Sequence, residues 1–282
     1  MLEVGSPDGH AATLALTLPP GARDGVLWLP AMGVPARKYG AWAEALAAHG
    51  IATALHEWRG GGTSNVRASR RRDWGYRTLF DDVARSRAAL EEGAPGVRWH
   101  IGGHSLGAQL AALAHALTPH DYAGLAIVGA GLPWWRSFPR FERPFVLGVF
   151  GFFRLLGAVV GHYPGATVGF AGREARGVIR DWTRSGLTGR YRPDGEPRDL
   201  DAALASLATP LLAVHLANDR YVPAPSLAAL VAKLPRSSVT AHELDAGRFA
   251  SRRADHFGWM KEPGPVASVL VAWLAAPRVP LV

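Results

Sequence analysis

Gly103-His104-Ser105-Leu106-Gly107 is the stretch of this chain whose residue types and spacing most directly imply chemistry. It is a G-x-S-x-G pentapeptide. Residues 97–102 before it read as a buried strand, and residues 108–117 after it read as a helix. On a sharp strand-to-helix turn a serine hydroxyl projects outward, where a base can reach it. The turn is too tight for large side chains on either side, hence the glycines. The helix start also aims the backbone N–H of Leu106 toward a reacting oxygen. With 33 glycines among 282 residues the bare pattern says little. The flanking strand and helix carry the argument.

A serine hydroxyl is a poor nucleophile unless a base lies within hydrogen-bond reach. That base in turn needs a carboxylate to hold its tautomer. In the chain order Ser, acid, His, both partners lie beyond Ser105. Asp219 is the expected acid, because it follows the apolar strand 210–216 at the edge where open α/β sheets carry their sites. Asp245 is the second choice. Three histidines lie in the last third, His215, His242 and His256. The first two fall inside strands, where a packed histidine is the default. His256 sits in the loop Asp255-His256-Phe257-Gly258-Trp259 and is the expected base. His104 adjoins the nucleophile on a turn that points neighbours apart, so it reads as structural. An oxyanion hole needs a second donor besides Leu106. The turn Ala31-Met32-Gly33 after an early central strand supplies it, with the N–H of Met32 as the choice. No His-Gly-Gly-Gly run supports that assignment. Trp134, Trp135, Phe138 and further aromatics up to residue 192 are expected to line an apolar acyl pocket.

These residues need a scaffold, and the hydrophobic pattern describes one. Residues 12–18 alternate and break at Pro19-Pro20, which suits an edge strand. Residues 25–30, 51–56 and 124–129 are further strands, with helices over 38–49 and 78–92. This β-α-β-α rhythm implies a mostly parallel sheet covered by helices on both faces. It stops near Pro133. Residues 134–192 are aromatic, basic and glycine-rich, and residues 145–161 are apolar enough to suggest a membrane span. Arg154 in the middle of that run argues against a span. The reading adopted is an inserted helical lid, with membrane contact through it as the lesser alternative. The rhythm then resumes with strands 210–216 and 238–244 and helices 226–234 and 266–274. The expected division is a core over 1–132, a helical cap over 133–192, and the second part of the core over 193–282.

Hydrophobic residues make up 48% and charged residues 19%, which describes an ordered globular chain rather than a disordered one. The chain has no cysteine, which removes disulfides and thiolate metal sites and fits a reducing compartment. No basic start followed by an apolar run opens the chain, so a cytoplasmic protein is expected. The formal charge of +8 comes mostly from scattered arginines. Their one dense cluster, Arg67, Arg70, Arg71 and Arg72, lacks interleaved aromatics, so no nucleic-acid partner is expected. No H-E-x-x-H or clustered carboxylate spacing is present, so neither metal nor cofactor is expected. Gly60-Gly61-Gly62-Thr63-Ser64 lacks the lysine of a phosphate loop and reads as a turn. Composition leaves the oligomeric state open.

Taken in order, the pieces resemble the α/β-hydrolase superfamily over essentially the whole chain. They are the Pro30-Ala31-Met32-Gly33 turn, the segment Glu57-Trp58-Arg59-Gly60-Gly61-Gly62-Thr63-Ser64, the Ser105 pentapeptide, and Asp219 with the His256 loop. The second resembles a D-x-R-G-x-G-x-S segment of that superfamily, with Glu57 in the aspartate place. More narrowly, Gly33-Val34-Pro35 with Tyr39, Asp73-Trp74-Gly75, His162-Tyr163-Pro164-Gly165 and Asp255-His256-Phe257-Gly258 resemble a bacterial group of hydrolases with ill-defined substrates. The resemblance implies a serine hydrolase with a cap between its sixth and seventh strands. It does not name the substrate, because the fold hosts many acyl chemistries. The leading expectation is hydrolysis of a carboxylic ester or thioester of a small-molecule acyl substrate. The alternatives are acyl transfer by the same triad and a non-catalytic binding protein.

Overall fold

The structure, a computed structural model, describes residues 1–276. The chain opens with β1 (Leu2–Gly5) and β2 (Ala11–Thr17), then β3 (Asp24–Leu29), α1 (Gly40–Ala47), β4 (Ala52–Leu55) and α2 (Tyr76–Gly93). β5 (Arg98–His104), α3 (Leu106–Leu117) and β6 (Leu125–Val128) follow. The eight-stranded sheet has the order β1-β2-β4-β3-β5-β6, completed by β9 (Pro210–Leu216) and β10 (Ser238–Leu244). β1 pairs antiparallel with β2, and β2 with β4; every other pair in this sheet is parallel. This is an α/β-hydrolase fold, a mostly parallel sheet between helical layers.

Strand pleat explains how one sheet serves two cores. Leu27 and Leu29 of β3 join a core with α2, α3 and α8 (Ala224–Val231). Val26 and Trp28, one residue out of phase, join a second core with α1 and α9 (Gly264–Ala275). The central strands are buried on both faces, which is why they read as unbroken apolar runs.

Between β6 and β9 the chain leaves the sheet. It forms α4 (Arg143–Val160), a two-residue ladder of β7 (Tyr163–Pro164) and β8 (Arg173–Glu174), α5 (Gly165–Val168) and α6 (Arg176–Thr188). α7 (Leu200–Ser206) then returns to the core, where Leu200 and Leu204 pack with α3 residues. Asp199 caps α7 by accepting the N–H of Ala202 at 3.1 Å.

Most strands and helices lie within two or three residues of their expected places. The residues expected to begin a helix at Lys38 instead begin with a 3-10 turn, Ala36–Tyr39. β1 and α7 lie outside the expected set. His242, expected to be packed, is exposed, because β10 is the sheet edge and only Leu244 in it is buried. Residues 277–282 lie outside the described residues.

Candidate active site

Ser105 sits between β5 and α3 with φ 56° and ψ −124°, a left-handed conformation that a non-glycine residue rarely adopts. Strain of this kind persists only where the surroundings fix it. They do so here. β5 runs in register with β3, placing Gly103 beside Leu29. A Cβ at Gly107 would run into the carbonyl oxygens of Leu29 and Pro30, and one at Gly103 would lie 2.6 Å from Gly107. Only glycine at both positions lets α3 start so close to β3.

Asp219 lies just beyond β9, where the N–H groups of Tyr221 and Val222 donate to its Oδ1 at 2.9 and 3.1 Å. Its Oδ2 is 2.6 Å from Nδ1 of His256. Both side chains are buried. The His256 loop is pinned from two sides. Asp255 accepts the N–H groups of Phe257 and Gly258 at 3.2 and 2.6 Å. Trp259 is fully buried against Trp28 and Trp42, with ring centroids 6.1 and 5.5 Å away. The Tyr221 ring lies 5.0 Å from the His256 ring and covers it.

His104 is the support beneath this pair. Its ring centroid is 4.6 Å from that of His256, and its Nδ1 is 2.8 Å from the Tyr39 hydroxyl. The same hydroxyl accepts the N–H of Ala31 at 2.9 Å. Burial holds the His104 pKa well below the usual histidine range and pushes that of Tyr39 up. His104 is therefore neutral, and the Tyr39 hydroxyl donates to its Nδ1. This chain of bonds ties the turn after β3 to the nucleophile strand. Sequence reading treated His104 as structural and noted Tyr39 only as part of a family resemblance; their pairing, a hydroxyl ten residues past a strand, carries no local signal.

Met32 lies in that turn. Its N–H donates to no protein acceptor among the described residues. The N–H of Leu106 opens α3, where intrahelical partners are lacking. Two donors thus flank the elbow without internal use.

Ser105 and His256 line one cavity of about 350 Å³. Its walls are Phe138, Phe145, Val146, Val149, Phe150, Phe153, Phe170 and Trp182, so most of the apolar lining comes from α4. Gln109, Glu142 and Arg220 are its larger polar groups. Of the three expected pocket residues, Phe138 lines it. Trp134 and Trp135 do not. Trp134 faces a separate surface hollow with Leu132, Gly189 and Arg190. Trp135 lies under the guanidinium groups of Arg136 and Arg143, 5.0 and 6.0 Å from its ring centre. A 3-10 turn, Trp135–Ser137, separates Trp134 from Phe138. Asp245, the second choice of acid, caps the turn Ala246–Arg248 instead. His215 bonds to Glu243 and to the carbonyl of Val222.

Fold and elbow together define an α/β-hydrolase. A family model described as "Serine aminopeptidase, S33" matches residues 21–162, half of the chain, and the protein belongs to that family. The matched region holds Met32, Ser105 and Leu106; Asp219 and His256 lie beyond it. No curated protein matches the chain. Among solved structures, the chain is similar to Est1E from Butyrivibrio proteoclasticus, solved with ferulic acid bound (14% identity, TM-score 0.66, 98% of this chain and 100% of that one). It is also similar to the esterase domain of a Rhodothermus marinus protein (18% identity, TM-score 0.61, 96% and 95%). A third is the monoacylglycerol lipase of Paleococcus ferrophilus (15% identity, TM-score 0.59, 93% and 99%). At these identities the likeness is one of fold.

Proposed function

We propose that the protein hydrolyses carboxylic esters or thioesters of apolar acids through Ser105, His256 and Asp219. The observation that carries this reading is the Asp219–His256 bond of 2.6 Å beside a strained Ser105 on the wall of one cavity. Asp219 accepts from Nδ1–H and so leaves Nε2 of His256 as the basic nitrogen. His256 takes the Ser105 proton as Oγ attacks the acyl carbon. The N–H groups of Leu106 and Met32 hold the oxyanion, and His256 returns the proton to the leaving alcohol. Water activated by His256 then attacks the acyl-enzyme and releases the acid. The phenylalanine-rich walls fit the apolar acyl part, since they offer burial but few hydrogen bonds.

The test is covalent labelling with a fluorophosphonate, with the adduct mapped by mass spectrometry. A single adduct on Ser105, absent in Ser105→Ala, is the expected result, together with loss of ester turnover in that variant. Labelling elsewhere, or turnover that survives Ser105→Ala, refutes the assignment. Product analysis with an added alcohol separates hydrolysis from acyl transfer to that acceptor.

A further inference from the structure

α4 has two apolar faces, and only one is used inside the fold. Val146, Val149, Phe150 and Phe153 face the cavity, and Phe150 and Phe153 are buried. Phe152, Leu155 and Val159 lie on the other side and Phe145 at the border of the two, with spacings along 145–152–155–159 of seven, three and four residues, a stripe about 21 Å long. Phe145, Phe152, Leu155 and Val159 are exposed by 73, 49, 65 and 62%, and Phe141, one helical turn before Phe145, by 81%. Single exposed apolar residues are ordinary, but a continuous stripe of this length marks a contact surface. The helix is long and apolar enough to cross a membrane. Its inner face, however, is built into the cavity wall, so α4 stays with the domain and offers only its outer face.

The surroundings of the stripe are cationic. Arg136, Arg140 and Arg143 stand at its start and Arg154 at its middle. Arg70, Arg71 and Arg72 flank its end, where the Arg70 guanidinium donates to the Val159 carbonyl. None of these seven forms an ion pair among the described residues. The nearby acids Asp73 and Asp194 are already paired with Arg176 and with Arg180 and Arg184, which leaves Glu142 as the acid on the helix rim. An apolar stripe within a cationic rim fits an anionic bilayer: the phenylalanines enter the acyl boundary and the arginines meet phosphate. Arg154, costly at the centre of a span, is well placed on a helix lying flat, where its head reaches the headgroups. Phe145 belongs to both the stripe and the cavity wall, so the cavity abuts the docking face.

We infer that the outer face of α4 docks this protein on the surface of an anionic phospholipid bilayer. The docking is independent of the ester-hydrolase reading. It is tested by co-flotation with phosphatidylcholine vesicles, with and without one-third phosphatidylglycerol. The wild type floats with the anionic vesicles, and Ser105→Ala floats equally. The double variant Phe152→Asp/Leu155→Asp loses partitioning by about tenfold or more while its thermal melting is unchanged, since both side chains are exposed. Arg154→Glu weakens flotation with the anionic vesicles. A wild type that stays unbound with anionic vesicles overturns the inference. So does a wild-type dimer that the double variant converts to monomer, which would assign the stripe to a second copy of the chain.

Discussion

Replacing Glu174 by glutamine should stabilise the protein by an amount that grows as pH rises from about 4.5 to about 7 and is level above that. Glu174 lies in β8, where its Oε1 accepts the N–H of Gly172 at 3.1 Å. Gly172 and Ala171 rest directly on Gly33, whose φ of +73° and lack of a side chain permit that approach. Burial pushes the Glu174 carboxyl up from 4.5 to about 7. Between those values the folded protein holds a proton that the unfolded chain has released. Stability therefore falls as pH rises from 4.5 to 7 and is level above that. Each pH unit of the interval is worth about 1.4 kcal/mol, so between pH 5 and pH 8 the penalty grows by about 2–3 kcal/mol. Glutamine keeps the acceptor for Gly172 and cannot ionise. Urea unfolding of both proteins at pH 5 and pH 8 isolates the term, because other titrations are common to the two. The variant should gain about 2–3 kcal/mol more over the wild type at pH 8 than at pH 5. An equal difference at both pH values would refute the burial argument.

Two substitutions probe the site itself. Asp219→Asn keeps the oxygen that holds Tyr221 and Val222 but can turn an amide toward Nδ1 of His256, imposing the wrong tautomer. Ester turnover should fall about 10⁴-fold in kcat with the fold intact by circular dichroism, and a loss below tenfold would remove Asp219 from the proposed triad. Val149→Trp extends a wall residue into the 350 Å³ cavity. It should lower kcat/KM for a long-chain acyl ester about tenfold or more relative to an acetyl ester, whereas an unchanged ratio would place the acyl group elsewhere.

The sheet and the elbow were legible because their signals are local. The runs at β3, β6 and β9 are mainly apolar, as strands buried on both faces are, and a glycine-flanked serine between strand and helix has few alternatives. The pairing of Asp219 with His256 is the one that chain order and strand ends pointed to. The pocket was less legible. Trp134 and Trp135 come only a few residues after the end of β6, at the edge of the sheet that carries the site, and nothing in their local sequence says where their rings point. The helix phase held better information: residues 146, 149, 150 and 153 share one face of α4, and the sequence shows that spacing without saying which face is inward. β1 was missed because four residues with Glu3 and Gly5 among them make a weak strand pattern, and antiparallel pairing with β2 stabilises it. α7 did carry a signal, the capping Asp199 before Leu200 and Leu204.

Under the two proposals above, the two faces of α4 make selectivity and location separable properties of one helix. Its inner residues meet whatever reaches Ser105, and its outer residues meet whatever lies outside the domain. Neighbouring positions alternate between the roles: Phe152 is half-exposed while Phe153 is buried, stacked on Phe170 with centroids 5.2 Å apart. A one-residue slip in the phase of α4 would turn apolar inner residues outward and Arg154 toward the cavity. Gly157 and Gly186 oppose such a slip. Gly157 is buried where α4 passes Arg176 of α6, and the Phe150 ring fills the space where a side chain at Gly186 would stand. Close packing against α6 thus fixes the rotation of α4, and through it which phenylalanines face the cavity and which face outward.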